Sequence, residues 1–292
     1  MRRIQDGFCS PAPALCVLVV SFDGRSDLEE TGTLQGCEED TALSHSGNFF
    51  GELAQILQQK NDSPVSRLIL GWHASYILSE DGRKGVGFVP DSRIEPHTSR
   101  PVHTNSLLSS TLKELAGLYV SPFPQEFAAA SAACSTLIPF ADTGGQYLDA
   151  VMTCARGDKV AVLGYERDLV PFMRDWGWRS AFFDDRFAGR QDCFQQEEFS
   201  RAVLEAEWVW LSPEAIRDRW LLSTQNILRG KKGCFLQGPG IPAVIEAFSE
   251  LGVTHLVVPL GDDGGKIEAH ISAGGSAWLC EALRWRVFVS SA

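Results

Sequence analysis

The sequence predicts an α/β protein in two parts, a small α+β domain followed by a doubly wound parallel sheet. Three observations predict it. Short strand candidates crowd between residues 65 and 89, so they pair antiparallel, because a parallel connection needs about a dozen residues or more. Two helical stretches follow them. From Gly157 onward, strand candidates alternate with helical stretches, the rhythm of βαβ units. A length of 292 residues suits the division, since domains usually run about 100–200 residues.

The first part begins at residue 47, behind an extension over 1–46. That extension holds a strand candidate at 15–22 and seven acidic residues against one Arg between Asp23 and Asp40. Such a run buries little apolar surface and is expected to be solvated or disordered. Phe49, Leu53, Ile56 and Leu57 then recur at helical spacing up to the turn Asn61-Asp62-Ser63-Pro64. Strands are expected at 65–71, 73–78 and 85–89, with a turn at Glu80-Asp81-Gly82-Arg83. Thr111-Leu112-Lys113-Glu114 is a capping box, in which hydroxyl and carboxylate satisfy free N–H groups at a helix start. Leu112, Leu115, Ala116 and Tyr119 form its apolar stripe, and Ser121-Pro122-Phe123-Pro124 breaks it. A second helix, 125–138, is rich in Ala and Ser, so another backbone can approach it closely.

The boundary is expected within 142–157, dividing the chain into 47–148 and 149–292. Strands are expected at Lys159–Leu163, Arg179–Phe183, Trp208–Leu211, 234–236 and 255–258. Helices are expected at 168–176, 197–206, 213–228 and 242–251, the last starting on Pro242, a residue suited to a first helical turn. A helix at 276–283 and a strand at 285–289 close the chain.

Composition narrows the function. Hydrophobic residues at 44% and charged residues at 22% exclude a disordered chain, a collagen-like fibre and a coiled coil. A net charge of −11 argues against a non-specific grip on nucleic acid or anionic lipid. The longest apolar stretch, 11–22, is too short for the ~20 residues that span a bilayer. Arg2 and Arg3 imitate a signal peptide, but Asp6 and two prolines interrupt it. The cytoplasm is the expected compartment. The remaining partners are a small-molecule or metal ligand and a second copy of the chain.

No two of the eight cysteines lie closer than seven residues apart, so zinc-ribbon spacing is missing and buried thiols are expected instead. The histidines show no H-x-x-x-H or H-E-x-x-H spacing.

In an open parallel sheet, ligands bind beyond the carboxyl ends of the strands. Here those ends carry Gly164-Tyr165-Glu166, then Asp184 and Asp185, then Ser212-Pro213, then Gly238-Pro239-Gly240-Ile241-Pro242, then Gly261-Asp262-Asp263. Gly164 lacks a G-x-G-x-x-G context, so NAD and FAD are disfavoured. Asp184 lies twenty residues beyond Gly164, where a ribose-binding acid sits in Rossmann-type sites; solvated loop acids explain it equally well. The Gly-Pro-Gly-Ile-Pro segment reads either as an anion site at a helix start or as a tight structural turn.

The segments Leu112-Lys113-Glu114-Leu115-Ala116 and Glu126-Phe127-Ala128-Ala129-Ala130-Ser131-Ala132-Ala133, with Ser121 between them, resemble the first domain of the heavy-metal chelation family. The run from Gly157 to Tyr165, the Gly238–Pro242 turn and Gly274-Gly275 resemble its second domain. The resemblance covers roughly Phe49 to the C-terminus. It implies an enolase N-terminal-like domain joined to a Rossmann-like domain, with a cleft between them and Ser121 near it. It also implies metal handling, or condensation or hydrolysis of pterin-, flavin- or siderophore-like molecules. The chain departs from the family at Phe123, at Cys134-Ser135-Thr136 and at Leu211-Ser212-Pro213-Glu214, where polar groups are replaced. Either the substrate differs or this member binds without catalysing.

Two functions follow. One is an enzyme acting on a polar, metal-chelating compound, with Glu166, Asp184 and Asp185 as its carboxylates. The other is a binder of a divalent or transition metal or of a metallophore, carboxylates suiting harder ions. An S-adenosylmethionine-dependent transferase is a third reading, resting on the sheet and Asp184 alone. The sequence assigns no catalytic residue and no metal ligand.

Overall fold

A computed structural model describes residues 18–21, 49–90, 107, 110–154, 156–164, 175–185, 187–189 and 193–290. The molecule is mixed α/β, built on a four-stranded antiparallel sheet and an eight-stranded sheet that is mostly parallel.

The smaller sheet has the order β1 (Leu18–Ser21), then beyond α1 (Phe49–Gln59) β2 (Val65–Leu70), β3 (Ala74–Ser79) and β4 (Lys84–Phe88). β1 falls within the strand candidate at 15–22 of the extension expected to be solvated, and it pairs antiparallel with β2, Leu18 opposite Leu70. These four residues therefore belong to the sheet, a correction to the reading of the extension. Phe49, Leu53 and Leu57 bury one stripe of α1. The capping box holds α2 (Leu112–Ala116) as expected: Glu114 N donates to Thr111 Oγ1 at 3.3 Å, and Thr111 N to Glu114 Oε2 at 2.8 Å.

A 3₁₀ turn, Gly117–Val120, leads to α3 (Pro124–Leu137), with proline in its first turn. The small side chains of α3 let β4 lie against its backbone. A Cβ added at Gly87 would fall 2.5 Å from Ala132 N, so no larger residue fits. Phe88 N donates to Ser131 Oγ at 2.9 Å, and Ser135 Oγ donates to Val86 O at 3.1 Å.

The larger sheet opens with β5 (Gly145–Gln146), inside the expected boundary stretch, and α4 (Tyr147–Met152). Then come β6 (Lys159–Leu163), β7 (Arg179–Phe183), β8 (Cys193–Phe194), α5 (Phe199–Glu205), β9 (Trp208–Leu211), α6 (Glu214–Arg217), α7 (Trp220–Leu228), β10 (Gly233–Gln237), α8 (Ile245–Glu250), β11 (His255–Leu260), α9 (Gly264–Ser272) and β12 (Arg284–Val289). The spatial order is β5-β12-β11-β10-β9-β6-β7-β8. From β6 the chain winds outward to β7 and β8, then returns to β9 on the other flank and winds outward again. The switch point lies between β6 and β9. The sheet is not wholly parallel, because β12 runs antiparallel to both β11 and β5.

Several helices differ from expectation. The stretch 213–228 is broken, since Arg219 adopts a left-handed φ of 54° between α6 and α7. Residues 276–283 hold only the 3₁₀ turn Ala277–Leu279. Helix α8 starts at Ile245, three residues after Pro242, because the 238–242 turn is occupied by other contacts. Most of the expected 168–176 helix lies outside the described residues; 175 and 176 are helical.

The core joins the two sheets. One apolar cluster contains Phe49, Leu53 and Phe127 from the first part together with Leu211, Leu236 and Phe248 from the second. The Phe49 and Phe248 rings lie 4.9 Å apart, within the range of favourable aromatic pairs. A second cluster fills the other face of the larger sheet around Val162, Phe182, Trp210 and Phe235.

Candidate functional site

The carboxyl ends of the parallel strands divide into a joint, a row and a cleft. The joint is the 238–242 turn, buried throughout. Tyr119 Oη donates to Gly240 O at 3.2 Å, and Ala243 N donates to Ile138 O at 2.9 Å. Gly240 has a φ of 78°, and a Cβ there would stand 2.6 Å from Ser131 Cβ. Gly240 thus sits against α3 and β4, where the smaller sheet docks, Gly238 lies against Pro213 and Phe88, and Pro239 is buried between them. The helix start expected at Pro242 is absent, and α8 has no side-chain cap at Val244.

The row is formed by one residue from each of four strands. The ladders pair Leu163 with Phe183 and Leu211, and Leu211 with Leu236. The next residue on each strand continues the register: Asp184, Gly164, Ser212 and Gln237. Alternation places the row on the face of Phe182, Val162, Trp210 and Phe235. The main chain anchors it, with Gly164 N donating to Phe183 O at 2.9 Å and Ser212 N to Leu163 O at 3.2 Å. Asp184 is buried, and its N–H donates to Phe194 O at 3.0 Å.

The other expected residues are placed elsewhere. Asp185 is exposed, its Oδ1 accepting from Gln196 N at 2.8 Å. Ser121 donates to Glu126 and accepts from Phe123 N at 3.2 Å, which organises the start of α3. Tyr165 and Glu166 lie outside the described residues.

The cleft lies between the two sheets at the carboxyl end of β11. Two adjoining cavities of about 350 and 260 Å³ share Asp142, Leu260, Gly261 and Asp262 in their walls. The smaller sheet contributes Tyr76, Lys84 and Val86; Ser135 of α3 completes that side. Lys84 Nζ donates to the Asp262 carbonyl, and Arg67 pairs with Glu268 across the same boundary. Lys266, Glu281 and Arg284 line the outer cavity.

Charge pairing sets the electrostatics. Arg286 Nε contacts Asp142 Oδ1 at 2.7 Å and holds that carboxyl below its ordinary range. The Lys266 N–H and ammonium do the same for Asp263, which caps α9. Burial raises the Tyr76 hydroxyl. Among the described residues, no group of three or more His, Cys, Asp or Glu side chains is arranged to hold a metal ion.

Row and cleft are distinct. Asp184 follows β7 and Asp262 follows β11, four strands away in the sheet order, which is about 19 Å at ordinary strand spacing. Sequence reasoning named Asp262 and Asp263 as a strand end but missed Lys84, Glu281 and Arg284. Their only signal is the folding of β4 and the 281–284 stretch against the same loop.

The arrangement defines a class, a two-sheet α/β protein with a polar cleft where an antiparallel sheet docks on the carboxyl edge of a parallel one. No protein-family model matches the chain, and no curated protein matches it. Two solved structures share its fold. One is a DUF364-family protein of unknown function from Desulfitobacterium hafniense, 18% identical, covering 82% of this chain and 98% of its own, with a TM-score of 0.64. The other is a DUF364-family protein of unknown function from Pyrococcus horikoshii, 13% identical, covering 84% and 99%, with a TM-score of 0.66. At these identities the likeness establishes the fold. No helix among the described residues is long and apolar enough to cross a membrane.

Proposed function

We propose that this chain binds a small polar, charge-bearing molecule in the cleft between its sheets, as a participant in metallophore- or siderophore-type metabolism or heavy-metal chelation. The observation that carries the reading is a pair of adjoining cavities, the smaller of them walled by both sheets. Pockets for small ligands run about 300–1,000 Å³ and carry a few convergent polar groups. Here Lys84, Lys266 and Arg284 line the walls together with Asp262, Asp263 and Glu281. That mixture suits a compound bearing both carboxylate and amine groups. A chelator fits this description, with or without its metal.

Whether the chain transforms its ligand turns on the cleft's proton-transfer groups. A general acid or base must reach the reacting atom and change protonation there. Arg286 keeps Asp142, and the Lys266 N–H and ammonium keep Asp263, below the ordinary carboxyl range, so both stand ready to bind a cation or to accept a proton, and neither suits acid catalysis.

Isothermal titration of the protein with divalent ions and with hydroxamate, catecholate and amino-carboxylate chelators tests the proposal. A chelator is expected to bind the native chain, with affinity reduced in Lys84→Met and Glu281→Gln. Binding by none of the panel, or unchanged binding in both variants, would sink it. Mass spectrometry of the recovered chelator separates binder from enzyme.

A further inference from the structure

The row at the carboxyl edge of the larger sheet contains two buried polar groups that no hydrogen bond among the described residues uses. Ser212 is 8% exposed and Gln237 is 5% exposed. Ser212 Oγ and Gln237 Oε1 have no hydrogen-bond partner among the described residues. Buried polar atoms are nearly always paired, because leaving one unpaired forfeits its hydration. Two such atoms at neighbouring register positions on paired strands call for one explanation.

Their position supplies it. Gly164 and Ser212 stand on either side of the switch point between β6 and β9. Open α/β sheets bind ligands in the crevice at such a point. Gly164 takes a φ of 96°, and a Cβ there would lie 3.3 Å from Ser212 Cβ, so the backbone is bare beside the hydroxyl. On the next strand, buried Asp184 occupies the place from which an acid holds ribose hydroxyls in nucleotide-binding sheets.

We propose that the row Asp184, Gly164, Ser212 and Gln237 is a nucleoside-binding edge, separate from the cleft. The row spans three strand spacings, about 14 Å. A ribose at Asp184 and Gly164 leaves its base at Ser212 and Gln237. The Asp184 carboxylate accepts from the sugar hydroxyls. Ser212 Oγ donates or accepts, and Gln237 Oε1 accepts from a ring or exocyclic amine. With one glycine in the first turn there is no glycine-rich cradle for a pyrophosphate, so the ligand class is a nucleoside without one.

Thermal melting of the full chain with adenosine, guanosine, cytidine, uridine, S-adenosylmethionine or NAD at millimolar levels is the experiment. At least one nucleoside or S-adenosylmethionine is expected to raise Tm, since a ligand of the native state must do so. NAD is expected to raise it less. Ser212→Ala and Gln237→Leu should each weaken the responding ligand about tenfold, while Lys84→Met leaves its affinity unchanged. Unliganded Ser212→Ala should melt at or above the native temperature, showing that it folds. A wild-type chain that responds to no nucleoside probe overturns the proposal, as does a response that survives both row substitutions. Because the cleft variant is scored on the same ligand, failure of this edge and failure of the cleft reading are told apart.

Discussion

Tyr119 reaches across the boundary between the two sheets and donates its phenolic hydrogen to the carbonyl oxygen of Gly240, 3.2 Å away. Both residues are buried. The bond ties the 3₁₀ turn before α3 to the loop that leaves β10, at the place where the smaller sheet meets the larger. The Gly-Pro-Gly turn is therefore a piece of joinery, and the cleft opens beside it.

Gly240→Ala should be strongly destabilising. The substitution places a Cβ 2.6 Å from Ser131 Cβ in a left-handed backbone conformation. Strain of that kind and overpacking each cost about 1–3 kcal/mol. Urea denaturation should show a lowered midpoint, with Tyr119→Phe losing about 1 kcal/mol. A native midpoint in Gly240→Ala would contradict the close approach.

Phe49→Ala should loosen both sheets together. Phe49 packs on Phe248 in a cluster that draws from both parts of the chain, and deleting a buried phenyl ring costs about 3–5 kcal/mol. Far-ultraviolet circular dichroism and tryptophan fluorescence should report one shared transition at lower temperature. Separate transitions for the two signals would mean that the parts fold independently.

His255 should make stability fall in mild acid. Burial against Phe235, 4.3 Å between rings, lowers its pKa below the ordinary histidine value. The unfolded chain then binds the proton more readily, so this contribution is present above about pH 6.5. It is lost as pH falls through the lower folded value. Melting temperatures between pH 7 and 5 should drop in the native chain and drop less in His255→Phe. Equal slopes would remove His255 from the effect.

Cys134, Cys154, Cys193, Cys234 and Cys280 are buried thiols outside any disulfide. Burial raises the thiols of Cys134 and Cys234, and pushes that of Cys154 up to about 12. Since the thiolate is the reactive form, native-state alkylation should spare these five cysteines, read by peptide mass spectrometry. Rapid labelling of any of them would show that its surroundings open readily.

Much of the fold was legible because its signals are local. Strands β6, β7 and β9 match their expected bounds, being apolar runs set off by turns. The capping box at Thr111 marked a real helix start for the same reason. α9 escaped notice because Gly264 and Gly265 open it, hiding a start that Asp263 caps through Lys266 N. β1 falls inside the strand candidate at 15–22, although the acidic run beside it set that stretch apart from the first domain. The site was less legible. Strand ends could be read off, and the row of Asp184, Gly164 and Ser212 follows from them. Gln237 did not stand out at the end of an apolar strand. Lys84 and Asp262 meet across 178 residues of sequence, and no short pattern encodes that meeting. Of the three carboxylates expected at the strand ends, Glu166 lies outside the described residues, Asp184 is buried and Asp185 is exposed.

The most direct measurement is a crystal structure of the chain with the tightest-binding chelator from the titration panel. Density for the chelator is expected between Lys84 and Asp262, with an acidic group of the ligand at the Lys84 ammonium. Density for the chelator at a surface away from both sheets, with the cleft walls unchanged, would contradict it.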